Sequence, residues 1–134
     1  AALSAALVLA ACASHPTYGD ADRAALQPDI SAYHQCINDS TVQMINGSSN
    51  VTLLTRAILR SCRDQLQPVA DYLQGREFQG YFISNYLHNV RDEAGSTVES
   101  FILRTKSAQH GSNKTGEVPK AVFAAPGSAG AGGS

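Results

Sequence analysis

Residues 29–69 read DISAYHQCINDSTVQMINGSSNVTLLTRAILRSCRDQLQPV. At about 100° per residue, Ile30, Tyr33, Ile37, Met44 and Ile45 fall on one side of a helix. The pattern predicts a first helix from about Asp29 to Asn46. Pro28 and Asp29 supply a start. Asn46-Gly47 supplies a stop, because glycine accepts the left-handed conformation that ends helices. A second helix begins near Asn50 or Val51, with Ser49 or Asn50 as its cap. Its apolar stripe is Val51, Leu54, Ile58, Cys62, Leu66 and Val69. Pro68 lacks an N–H and clashes with the preceding turn, so it kinks or interrupts this helix. Helical character then resumes through Tyr72 and Leu73 to Gly75.

The turn of this hairpin centres near Ser48. Cys36 lies about 12 residues before it and Cys62 about 14 after, so antiparallel helices rising about 1.5 Å per residue set the two nearly level. A disulfide needs Cα atoms roughly 4.4–6.8 Å apart, and this near-symmetry predicts a Cys36–Cys62 bond. Closing that loop contributes roughly 3 kcal/mol in the chain-entropy account. The alternative, a redox or metal pair, lacks CxxC spacing, and no histidine is placed to form a compact ligand set with either cysteine.

Beyond the hairpin, Phe78, Phe82, Tyr86 and Val90 predict a third helix from about Glu77 to Ala94. Gly95 weakens it, and Ser96-Thr97-Val98-Glu99 reads as a capping box. Either a break follows or a fourth helix, 97–106, uses Val98, Phe101 and Ile102. Strand-like alternation is poor throughout. The expected fold is all-α: a small three- to four-helix bundle with one disulfide, over residues 28–106.

The whole chain has 134 residues, 43% hydrophobic and 16% charged, with a formal charge of −1. The length argues for one domain. The charge excludes strong electrostatic attraction to nucleic acid, which requires clustered Lys and Arg. Residues 107–134 hold six Gly and two Pro and end GSAGAGGS. Such a tail is expected to be disordered. Val122 and Phe123, in PKAVFAAP, offer the alternative of a short docking peptide for a partner.

Residues 1–11 read AALSAALVLAA and carry no charge. The run is shorter than the roughly 20 residues of a membrane span, but it matches the apolar core of an export signal. Lacking a basic segment before it, the sequence is expected to start inside a longer precursor. The run ends Leu9-Ala10-Ala11-Cys12, which resembles the lipobox of bacterial lipoproteins. That resemblance covers only the N-terminal tenth of the chain. It implies that Cys12 receives a diacylglyceryl group and that the signal is cut just before it. Ala13 and Ser14 follow, without the Asp of an inner-membrane retention signal, so the outer membrane facing the periplasm is expected. Residues 12–27 then form a lipidated tether.

No constellation points to catalysis, a metal or a cofactor. His15 and His110 fall in segments expected to be flexible. His34 and His88 sit on separate helices without ligand spacing. Serine motifs of the G-x-S-x-G type are absent. Asp92-Glu93 are neighbours that diverge by about 100° on a helix. Asn38, Asn46, Asn50 and Asn113 open Asn-x-Ser/Thr sequons, and Asn46 and Asn50 sit where turn residues are expected anyway.

Two surfaces remain as candidate partner sites. Arg56, Arg60 and Arg63 fall at about 200°, 240° and 180° from Leu54, making one basic stripe opposite the apolar face. That stripe suits a solvated face, anionic headgroups or an acidic partner. Tyr81 and Phe82 belong to the aromatic cluster Phe78–Tyr86, which suits a core or the wall of a peptide groove. The expected role is a lipid-anchored interaction protein docking on an envelope assembly, with no enzymatic activity. The alternative is a small-ligand, cell-wall or envelope-enzyme binding module, with a polar pocket or exposed loop at Asn46–Asn50 or on the arginine stripe.

Overall fold

The computed structural model describes residues 14–111 and 121–123. Among these residues four α-helices form: α1 (Asp20–Met44), α2 (Val51–Ser61), α3 (Gln67–Gly75) and α4 (Gly80–Gly111). A 3₁₀ turn, Arg63–Leu66, joins α2 to α3. Among the described residues there is no strand.

The hairpin forms as its sequence predicts. Asn50 caps α2, its Oδ1 accepting the Leu53 N–H at 3.0 Å. Cys36 and Cys62 are bonded, with Cα atoms 5.8 Å apart. Tyr33 and Ile37 of α1 meet Leu54, Ile58 and Cys62 in one core with Val69, Leu73, Val98 and Ile102. Pro68 interrupts the helical path as expected. The chain tightens into the 3₁₀ turn, and Pro68 enters the first turn of α3, where its missing N–H has no intrahelical partner to lose.

The start of α1 corrects the sequence reading. Residues 20–27, taken as part of the tether, are helical, and α1 runs straight through Pro28. An interior proline costs about 3 kcal/mol, so other contacts must offset it. Leu26 is 1% exposed. Asp22, also buried, accepts from the Gly19 N–H at 3.1 Å, the Tyr72 hydroxyl at 3.0 Å and Arg76 Nε at 2.9 Å. These bonds fasten the N-terminal turn of α1 to the end of α3. The Gly19 N–H, Arg76 and Tyr72 together hold the Asp22 carboxyl below the usual carboxylate range.

α3 closes with residues beyond the glycine read as its stop. The Phe78 N–H reaches Leu73 O at 3.1 Å and the Glu77 N–H reaches Gln74 O at 2.9 Å. This is a Schellman closure. Its left-handed position falls on Glu77, at φ 62°, a conformation that favours glycine. Phe78 and Leu73 are both buried, which completes the apolar contact of the motif.

α4 settles the question posed by Gly95. The expected third helix and the fourth, 97–106, are one continuous helix. It starts at Gly80 rather than Glu77, and it carries His110 in its last turn. Ser96–Glu99 does not cap anything, and the Thr97 hydroxyl turns back to Glu93 O at 2.9 Å. A Cβ at residue 95 would stand 3.2 Å from Leu59 Cδ1. Gly95 therefore marks a close approach of α2 to α4, not a break. At about 1.5 Å per residue α4 is roughly 48 Å long, and it packs along α2 and α3.

Candidate functional site

The arginine stripe divides in the structure. Arg56 and Arg60 stand on α2, whereas Arg63 lies beyond the helix end, in the 3₁₀ turn. Arg63 pairs with Asp64 at 3.4 Å. It also edges a cleft of about 180 Å³ that Arg91 of α4 borders. Gln67 joins them, and Leu66, Ala70 and Leu87 contribute apolar wall. Asp64 lines the same cleft and partly offsets Arg63, so Arg91 is the guanidinium that best suits a small anionic ligand with a short hydrocarbon part. Sequence pattern gives no sign of Arg91 as a site residue, because nothing local ties it to Arg63. The Asn46–Asn50 turn is an exposed loop, tied to α4 by Lys106, whose Nζ donates to Ser48 O at 2.7 Å.

The aromatic pair also divides. Tyr81 is 68% exposed. Phe82 is half-buried and stacks on Phe78 with ring centroids 4.7 Å apart. The groove expected against this wall is filled from within. Tyr18, from the segment read as tether, sits 5.9 Å from Phe82 and 5.5 Å from Tyr86. Its hydroxyl lies 3.2 Å from that of Tyr86. Burial first, and then the Tyr18 hydroxyl, push the Tyr86 phenol up. Tyr81 thus remains as exposed aromatic surface, and Phe82 serves packing.

The histidines lie apart. His88 pairs with Asp92 on the surface of α4 at 3.0 Å, and His15 lies 3.2 Å from Gln79 Nε2. His34 is half-buried, and burial lowers its pKa against the opposing pull of Glu93. Among the described residues no three metal-ligating side chains cluster, and no helix is long and apolar enough to cross a membrane. Cys12 lies outside the described residues, as does most of the tail. Of that tail, residues 107–111 are helical. Val122 and Phe123 are half-buried and pack against the core, a correction to the disorder expected there.

No protein-family model, curated protein or solved structure matches the chain.

Proposed function

We propose that the chain is a lipid-anchored interaction protein of the bacterial envelope, held at Cys12 and presenting a small helical body to a protein partner in the periplasm. The observation that carries this reading is the Cys36–Cys62 bond. Disulfides persist in oxidising compartments outside the cytoplasm, which is where the Leu9-Ala10-Ala11-Cys12 resemblance sends the chain. A diacylglyceryl group supplies two acyl chains, enough for stable anchoring where one is marginal. The folded body therefore needs no apolar face for the membrane. The absence of an Asp after Cys12 favours the outer membrane.

Crosslinking in living cells, followed by detergent extraction and mass spectrometry, tests this reading. Wild-type protein should fractionate with membranes and bring down a defined set of envelope proteins. Wild-type protein should also take up a fatty-acid label, and Cys12→Ser should take up none and lose that set. A wild-type protein without the label, or a Cys12→Ser protein that keeps it, refutes the anchor.

The cleft between Arg63 and Arg91 favours a second reading, a small anionic cell-wall or lipid-headgroup ligand. Arg91→Glu should then abolish binding of soluble peptidoglycan fragments while leaving the melting curve in place. Unchanged binding, or none by the wild type, counts against it.

A further inference from the structure

The segment Ala121–Phe123 is seated on α1 by two side chains one helical turn apart. Asn38 Oδ1 accepts the backbone N–H of both Val122, at 2.8 Å, and Phe123, at 2.9 Å. Asn38 Nδ2 returns a longer bond to Phe123 O at 3.4 Å. One carboxamide thus reads three backbone groups, and those contacts do not depend on the side chains of the segment. The ring of Phe123 lies flat on His34, with centroids 4.0 Å apart and planes 3° from parallel. Tyr33 flanks the same histidine at 6.1 Å. Main-chain hydrogen bonds set affinity and a ring position sets specificity, which is the usual division of labour in peptide recognition.

The contact is small. Three hydrogen bonds and one stacked ring suit a separate peptide binding at about millimolar Kd. The intervening residues 112–120 make the contact intramolecular. At up to about 3.5 Å per residue they reach roughly 30 Å, and a short linker supplies an effective concentration in the millimolar range. Such a segment is occupied in cis yet readily displaced by a competitor of higher affinity.

We propose that His34 and Asn38 form a peptide-recognition site, filled in cis by Val122-Phe123 as a displaceable plug. The ligand class is a bent segment that turns two consecutive backbone N–H groups toward one acceptor, the second belonging to an aromatic residue. A partner bearing such a segment binds by releasing the tail. The site stands independently of the lipid anchor.

Nuclear magnetic resonance on the full chain tests the site. The His34 ring protons should resonate upfield in the wild type, from stacking on Phe123, and should lose that shift in Phe123→Ala. The peptide KAVFAAP, titrated to about 10 mM, should restore the shift in Phe123→Ala with saturation. The peptide KAVAAAP should not. Asn38→Ala should speed amide exchange at Val122 and Phe123 by roughly two- to tenfold, the protection that an effective concentration of one to ten times Kd allows, and Asn38→Asp, which keeps the acceptor oxygen, should largely retain protection. The proposal is overturned if His34 shifts are the same in wild type and Phe123→Ala, or if KAVFAAP leaves His34 unmoved. A shift that fades on dilution places the segment on a neighbouring copy and overturns the plug in cis.

Discussion

Removing the Cys36–Cys62 cross-link, by reduction or by Cys36→Ala with Cys62→Ala, should cost a large share of a small domain's stability margin. The bond joins residues 26 apart in sequence. Loop-closure entropy for that separation amounts to roughly 3.5 kcal/mol at 25 °C. The native state has little room to recover it, because Cys62 has no exposed surface and sits in the core beside Ile58 and Leu66. A domain of this size carries about 5–15 kcal/mol in total. Far-UV circular dichroism in urea should show the midpoint falling by roughly 2 M for an m-value near about 1.5 kcal/mol/M. Thermal melts should fall by roughly 14–28 °C. The m-value should rise, because an unfolded chain freed of its loop exposes more surface. Oxidised and reduced proteins melting within about 1 kcal/mol of each other would refute the argument. The helical hairpin would then be fixed by packing alone, and the bond would be incidental to the fold.

Other perturbations probe the parts of the fold that local sequence pattern did not reveal. Leu26→Ala should destabilise by about 2–5 kcal/mol in urea titrations, the usual range for a buried leucine; a loss below about 0.5 kcal/mol is what a tether residue would give. Glu77→Gly should stabilise by about 1 kcal/mol, because the left-handed position no longer carries a Cβ; a lower melting temperature would mean that the Glu77 side chain makes an offsetting contact. Asp22→Asn should flatten the acid limb of stability. The Asp22 carboxyl is held below its ordinary value of about 3.9, so its contribution is complete above that pH and is lost as pH falls through the depressed folded value. A wild type and an Asp22→Asn variant that lose stability in parallel between pH 5 and about pH 2 would show that another carboxylate governs the acid transition.

The hairpin was legible because every signal in it is local. The apolar stripe of α2, the Asn50 cap and the level cysteines all follow from spacing within about 40 residues. The start of α1 was not legible, since Pro28 and a polar run argue against a helix there. What forms it is a carboxylate at Asp22 whose partners, Tyr72 and Arg76, lie on α3 and at its end. Gly95 misled for the related reason that its role is defined by Leu59 on another helix. Among surface residues, Tyr81 reads with Phe82 as core or groove wall, and only the fold separates the exposed Tyr81 from the half-buried Phe82. The seat at His34 and Asn38 was not, because its ligand arrives 85 residues later in the chain. Asn38 alone reads as a surface asparagine, and His34 alone as a half-buried histidine. Arg91 likewise becomes part of a cleft only when α4 is laid beside the 3₁₀ turn.

The proposed anchor and the observed fold together fix an orientation that can be measured. Tyr18 is locked into the aromatic stack with Phe78, Phe82 and Tyr86, and it follows Cys12 by only about six residues. Six residues span at most roughly 21 Å. A lipid on Cys12 therefore keeps Tyr18 within that distance of the bilayer, and this end of the bundle, which carries the exposed Tyr81, stays near it. Aromatic rings with a polar tip favour that interface. Val42 is also exposed, but it lies roughly 33 Å farther along α1 from Asp20. The chain contains no tryptophan, so the single variants Tyr81→Trp and Val42→Trp each carry one indole reporter. In lipidated protein reconstituted into vesicles, headgroup nitroxide lipids should quench the indole of the Tyr81→Trp variant at least twofold more than that of the Val42→Trp variant. The difference should vanish when either substitution is combined with Cys12→Ser and the protein is added to the same vesicles. Equal quenching of the two lipidated variants would mean that the bundle lies flat or tumbles on its anchor, and the orientation argued from the Tyr18 clasp would fail.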